Sequence, residues 1–210
     1  MRSFIYIFLL ALIYLVCGAR SCNEEGSKSK VKEDSVVLLA RDSVKNAVEG
    51  SLISKQNLLS YETSATLKLN NLFNYLKIIA DPGLDKSFRQ KAAEMSTALF
   101  YRNNTRIQGF TSLLYGNEIS TANEMMNAGL ENKFHQTLTL DSSWVEMHLQ
   151  QSNDSTINGK LAFLVEFKEQ SAQKKIPFEV SVYLIKRSKS FGKDSIQTWE
   201  VYLGEIAGRK

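Results

Sequence analysis

Between Leu58 and Ile79 the apolar positions are Leu58, Ala65, Leu69, Leu72, Phe73, Leu76 and Ile79, the spacing of one helix face, with Glu62 the only polar residue on the stripe. This predicts a long helix over Leu58–Ala80. Asp81-Pro82-Gly83 ends it, because proline cannot continue the backbone ladder and glycine accepts positive φ. Asp85 or Ser87 then caps a second helix whose stripe reads Phe88, Ala92, Met95, Leu99, and a shorter helix is expected over Ser35–Glu49. Thr105–Ile119 is ambiguous, and Thr121–Glu131 reads as a short helix with Met125, Met126 and Leu130 inward. After Phe134 the period changes to two. Strands are predicted at Gln136–Leu140, Trp144–Gln150, Lys160–Lys168, Pro177–Arg187 and Ser195–Ile206, with Leu161, Phe163, Val165, Phe167 and Phe178, Val180, Val182, Leu184 each on one face. Asn153–Gly159, Ser171–Lys175 and Ser188–Asp194 read as the turns between them.

Helices first and long antiparallel strands afterwards make an α+β domain, with the helices packed on one face of a curved sheet. It is expected to span residues 36–210: helices over about 36–102, mixed structure over 103–134 and strands over 135–207. In element order and strand length, Leu58–Ile206 resembles the NTF2-like (cystatin-like cone) fold of small SnoaL-like and ketosteroid-isomerase-like domains; a related two-layer sandwich of helices on a meander fits the same pattern. The resemblance implies a cone whose interior often holds an acid/base pair. It carries no fingerprint motif, so the catalytic Asp and Tyr of the isomerases have no counterpart here.

Ahead of the domain, Met1–Cys22 has one early cation, Arg2, then an apolar run, then Cys17-Gly-Ala-Arg-Ser-Cys22. Phe4–Cys17 is too short for a bilayer span of roughly 20 residues and suits a cleavable export signal. A plain secretory peptide would be cut near Ala19 or Ser21. Ala19-Arg20-Ser21-Cys22 resembles the lipobox of bacterial lipoproteins, with Arg20 and Ala19 departing from its commonest form and Ser21 suitably small. That resemblance implies residues 1–21 as signal and Cys22 as the lipidated thiol, since the chain's other cysteine, Cys17, follows bulky Val16. Asn23-Glu24-Glu25 resembles the acidic stretch after the lipid cysteine in surface-exported lipoproteins of Bacteroidetes. Residues 22–35, polar and mixed in charge, read as a tether. The expected location is the cell envelope, lipid-anchored in the outer membrane, with a secreted or periplasmic protein as the alternative.

Composition narrows the chemistry. The formal charge is +4 and drops by two when Arg2 and Arg20 leave with the signal, which argues against a nucleic-acid binder. With one cysteine past the signal no intramolecular disulfide forms, so stability rests on apolar burial. No Gly-x-Ser-x-Gly elbow and no phosphate-cradling glycine loop is present. His135 and His148 lie in different segments without the ligand spacing of a zinc site, so neither metal nor cofactor is expected. Asn103-Asn104-Thr105 and Asn153-Asp154-Ser155 match the N-glycosylation triplet, which matters only in a eukaryotic secreted protein.

Candidate contact residues come from the strand alternation. Trp144, Phe163, Phe178, Trp199 and Tyr202 are the expected lining of a ligand or partner surface, with His148 and Glu200 beside them. His148 shares an alternation face with Trp144 and Glu146, and a Glu200 buried beside Tyr202 would have a raised pKa suited to acid/base work. Glu166 and Glu179 alternate with residues expected to face solvent. The hairpin from Lys186 to Lys193 gathers Lys186, Arg187, Lys189 and Lys193 into an anion-binding loop or a lysine-rich tip, with Phe191 at its end. Three functions remain in view. One is a non-catalytic binding or assembly module, held at a membrane by its lipid and contacting an envelope protein or a small apolar ligand. Another is a small cone-fold enzyme of isomerase, dehydratase or hydrolase type using Glu200 or His148 as its base. The third is a structural lipoprotein whose helical N-terminal part docks onto a larger envelope machine.

Overall fold

A computed structural model describes residues 53–153, 155–169, 172–191 and 194–209. All belong to the unit Ser51–Lys210. The expected signal, Cys22, the tether and the helix at Ser35–Glu49 lie outside the described residues, as does Lys193.

Helix α1, Lys55–Ala80, opens where the Ser54 side chain accepts the Asn57 N–H, and it buries Glu62, Ala65, Leu69, Leu72, Phe73, Leu76 and Ile79. The stripe is the expected one; Leu58, one turn earlier, is half-buried. At its end the Asp81 carboxylate accepts the Gly83 N–H at 2.9 Å. Asp85 then caps α2, Lys86–Thr97, by accepting the Ser87 N–H at 2.8 Å.

Helix α2 departs from its expected orientation. It buries Arg89, Ala92, Ala93 and Ser96, while Phe88 and Met95 stand 54% and 44% exposed. The cause is Arg89. Its Nε donates to the Ile79 carbonyl at 2.8 Å, and its Nη2 donates to the Gly129 carbonyl at 2.8 Å and to Asn132 Oδ1 at 2.7 Å. Directing that side chain inward turns the helix by about one residue and places two alanines, rather than Phe88 and Met95, against the core.

The ambiguous region becomes β1 (Arg106–Gln108), α3 (Phe110–Tyr115) and β2 (Ile119–Thr121). Helix α4, Ala122–Leu130, follows with a capping box in which Thr121 and Glu124 satisfy each other's backbone N–H. Met125 and Met126 are buried as expected. Four long strands complete the fold: β3 (Thr139–Asn153), β4 (Thr156–Glu169), β5 (Ala172–Phe191) and β6 (Asp194–Gly208). They exceed the strands read from sequence, and the two segments at 136–140 and 144–150 join into one. Register shifts after Leu140, Val145, Met147 and Gln151 break the alternation that would have shown it as a single strand. Gly159, expected in a turn, lies inside β4, where a Cβ would meet the Met147 carbonyl at 2.8 Å.

The strands form one open, mixed, six-stranded sheet in the order β2-β1-β6-β5-β4-β3, with β1 parallel to β6 through Ile107 and Ile206 and every other pair antiparallel. The chain is α+β. Helix α1 packs against both β3 and β6, and the core lies between it and the sheet. At its centre Phe73 meets Phe110 edge-on at 5.7 Å and Phe163 at 6.0 Å, while Phe178 completes the set at 5.6 Å from Phe110 and 5.8 Å from Phe163. Edge-to-face contacts, together with the stacked Phe163–Phe178 pair, add to the stabilisation from the area each ring buries.

Candidate functional site

The expected contact residues divide between three places. Phe163 and Phe178 are 0% and 2% exposed, within the aromatic cluster, and offer no surface to a ligand. Their alternation was legible; that Phe73 and Phe110 fill the space in front of them was not.

Trp144 pairs with Ala162, one residue from the core-facing Phe163, and so lies on the opposite face of the sheet. Its Nε1 donates to Glu146 Oε2 at 3.3 Å, and Arg209 binds Glu146 Oε1 at 2.8 Å with its guanidinium 5.9 Å from the indole ring. His148 does not join this group. At the outer edge of β3 its Nδ1 lies 3.0 Å from Glu62 Oε1 of α1, and the same carboxylate oxygen accepts the Leu149 N–H at 2.9 Å. Glu62, the lone polar residue on the α1 stripe, thus binds the backbone of the sheet's edge strand. Trp144, Glu146 and His148 do share the exposed alternation expected of them, but His148 is engaged by Glu62 while Trp144 and Glu146 meet Arg209.

The third place is the β5–β6 hairpin. β4 pairs with β5 only as far as Thr156 opposite Ile185, and six further β5–β6 pairs continue from Lys186–Trp199 to Phe191–Asp194. At about 3.3 Å per residue the hairpin projects roughly 20 Å beyond β4. Arg187 and Lys189 are exposed on this arm. At its base Tyr202 donates to Glu200 Oε2 at 2.5 Å, Lys189 Nζ binds Glu200 Oε1 at 2.8 Å, and the Arg187 guanidinium lies 5.0 Å from the centre of the Tyr202 ring.

Sequence reasoning missed the residues that complete this base. Lys68 of α1 brings its Nζ to 5.2 Å from the Tyr202 ring, Tyr101 packs at 5.4 Å from Tyr183 and 6.3 Å from Tyr202, and Arg102 lies over Tyr101 at 4.9 Å. Gly204 permits the arrangement, since a Cβ there would come within 2.3 Å of the Tyr183 ring. Lys68 and Tyr101 follow no local motif, and only the pairing of Leu99–Tyr101 with Leu203 brings Tyr101 here.

The electrostatics reverse one expectation. Glu200 is held below the ordinary carboxylate range, first by the Lys189 hydrogen bond and then by that from Tyr202, so it is a settled anion rather than a poised base. Tyr202 is raised by burial and by the adjacent carboxylate, and Lys68 is lowered by burial despite Glu200.

Two grooves lie elsewhere. One of about 340 Å³ runs between α2 and α4 past Ala93, Thr97, Asn103 and Asn127; another of about 610 Å³ is lined by Tyr115, Ile119, Glu124 and His135. Neither contains a residue of the arm. Among the described residues no three of His, Cys, Asp and Glu gather as metal ligands, and no helix is long and apolar enough to cross a membrane. No protein-family model matches the chain, and a search of curated proteins likewise finds no match.

Proposed function

We propose that this protein is a lipid-anchored module of the bacterial cell envelope, of NTF2-like architecture, that binds a partner protein without catalysing a reaction. The observation that carries the reading is the contrast between a centre packed with Phe73, Phe110, Phe163 and Phe178 and a cationic hairpin projecting from the sheet. An enzyme of the cone type needs titratable groups converging on a pocket. The two bases the sequence offered line neither groove: His148 is engaged with Glu62 on β3 and α1, and Glu200 with Lys189 and Tyr202 on the arm. The order of helices before long antiparallel strands supports the NTF2-like assignment. The lipobox-like run ending at Cys22, with Asn23-Glu24-Glu25 after it, supports the anchor. In this reading the domain stands off the membrane on its tether and meets its partner through the arm.

Anchoring is tested by growing cells on an alkyne-tagged fatty acid. Wild type is expected to carry the label and sediment with membranes, while Cys22→Ala loses the label and appears in the soluble fraction. Label retained on Cys22→Ala, or absent from wild type, would contradict the anchor.

A further inference from the structure

The two long edges of the sheet are treated differently. The outer edge of β3 is interrupted by register shifts, and the Glu62 carboxylate occupies the Leu149 N–H there. Such devices keep an edge strand from pairing with other chains. The far half of β6 has none of them. Leu203 directs its N–H and C=O outward, to Leu99 and Tyr101. In an antiparallel pair this direction repeats every second residue, so Ser195, Gln197 and Trp199 turn their N–H and C=O outward too. No described strand pairs with them, and β1 reaches β6 only at Ile206. The stretch Ser195-Ile-Gln-Thr-Trp-Glu-Val201 contains no proline, lysine or arginine, has an unbroken register as far as Leu203, and is rich in residues that favour extended backbone.

Charge decides what can pair there. Lys186 lies directly across from Trp199, with no ion pair among the described residues, and Arg187 and Lys189 follow on the same strand, while Lys68 stands at the base of the edge. The nearby carboxylate, Glu200, is already bound by Lys189 at 2.8 Å and lies 3.9 Å from Arg187 Nε, so both of those cations share one anion and the arm keeps a positive excess. A second copy of this chain would set one such cationic arm against another. An extended acidic segment meets complementary charge instead.

We propose that β6 receives an acidic, extended peptide segment of a partner protein as an added strand along Ser195–Val201. Main-chain hydrogen bonds to Ser195, Gln197 and Trp199 hold it, its carboxylates lie on the face of Trp199 toward Lys186, directly across the hairpin, and its apolar side chains lie on the other face beside Ile196 and Thr198. The proposal deepens the reading of the arm as the contact surface and rests on it.

The test uses the whole chain and a fluorescein-labelled peptide of about seven residues alternating glutamate with valine, the length that spans the edge at roughly 3.3 Å per residue. Fluorescence anisotropy is measured for wild type, Gln197→Pro and the double variant Lys186→Glu/Arg187→Glu. Proline at 197 removes an outward N–H and no ladder bond to β5, so melting should be unchanged while affinity falls about tenfold or more. The charge-reversed variant should lose binding at low salt and show a weaker salt dependence. The same peptide N-methylated at alternate amides keeps its charge, cannot pair as a strand, and should not bind.

Equal binding of the methylated peptide and unchanged affinity in Gln197→Pro would overturn strand pairing while leaving a charged contact surface. If both protein variants bind like wild type, the arm reading fails as well. Absence of any peptide binding at millimolar concentration overturns the proposal, as does preference for phosphatidylglycerol vesicles, which would make the arm a membrane contact. A dimer in sedimentation that Gln197→Pro dissolves would assign the edge to a second copy.

Discussion

Phe163→Ala is expected to lower unfolding stability by about 3–5 kcal/mol, among the largest losses any single substitution here should produce. Phe163 is fully buried and contacts three other rings, with centroids 6.0 Å away at Phe73, 6.4 Å at Phe110 and 5.8 Å at Phe178. Removing the ring forfeits its transfer free energy and leaves a cavity that three rigid neighbours from α1, α3 and β5 cannot collapse to fill. Urea denaturation of variant and wild type, at constant m-value, measures the difference. A loss below about 1 kcal/mol is typical of a surface or easily relaxed site and would contradict a packed centre. Phe163→Leu should recover part of the loss, because most of the apolar volume returns.

Arg89→Ala should cost about 3 kcal/mol, by a different route. Arg89 is 7% exposed and has no carboxylate partner among the described residues; instead its guanidinium meets the carbonyls of Ile79 and Gly129, with that of Leu130 at 3.4 Å. These are the last-turn carbonyls of α1 and α4, groups that lack a partner within their own helices and carry the negative end of each helix dipole. Arg89 therefore fastens two helix ends to α2 with one charge. Its removal strands those carbonyls away from water and frees Asn132, whose φ of 58° places its Oδ1 at the same guanidinium. Arg89→Lys should restore little, because an ammonium on a single stem cannot bond acceptors disposed around a planar fork. Thermal unfolding of both variants checks this, and a fully stable Arg89→Lys would refute the need for the fork.

The two residues differ in how far the sequence announced them. Phe163 alternates cleanly with Leu161 and Val165, so the face it shares with them was legible, but it was expected to line a contact surface and is instead fully buried. Arg89 falls outside the apolar stripe of Phe88, Ala92, Met95 and Leu99 that periodicity selects, so nothing in the sequence pattern singled it out. Its acceptors at Gly129 and Leu130 are some forty residues away in the chain, beyond any local pattern. Glu62 behaves alike: its place on the apolar stripe was visible, but not the Leu149 N–H that satisfies it. The apolar faces of β4 and β5 were found, but Trp144 was grouped with Phe163 and lies on the opposite face, and β3 was read as two because the bulge after Leu140 resets the alternation. At the arm, the cluster of lysines and arginine marked the hairpin, and Glu200 and Tyr202 were singled out from strand alternation. The reversal of the Glu200 pKa follows from Lys189 folding back across the hairpin, a contact set by register rather than by spacing. Lys68 and Tyr101 enter from α1 and from the segment beside β6, and tertiary structure alone unites them with the arm.

The central claim is that the partner is met at the β5–β6 arm. It is tested most directly in cells by a photoreactive amino acid placed at position 197 on the arm, compared with one at the exposed position 144 on β3. A discrete adduct from position 197, absent from 144 and lost when Lys186 and Arg187 are reversed in charge, is the expected result. Adducts of equal yield at both positions, or an adduct at 197 indifferent to those charges, would contradict it.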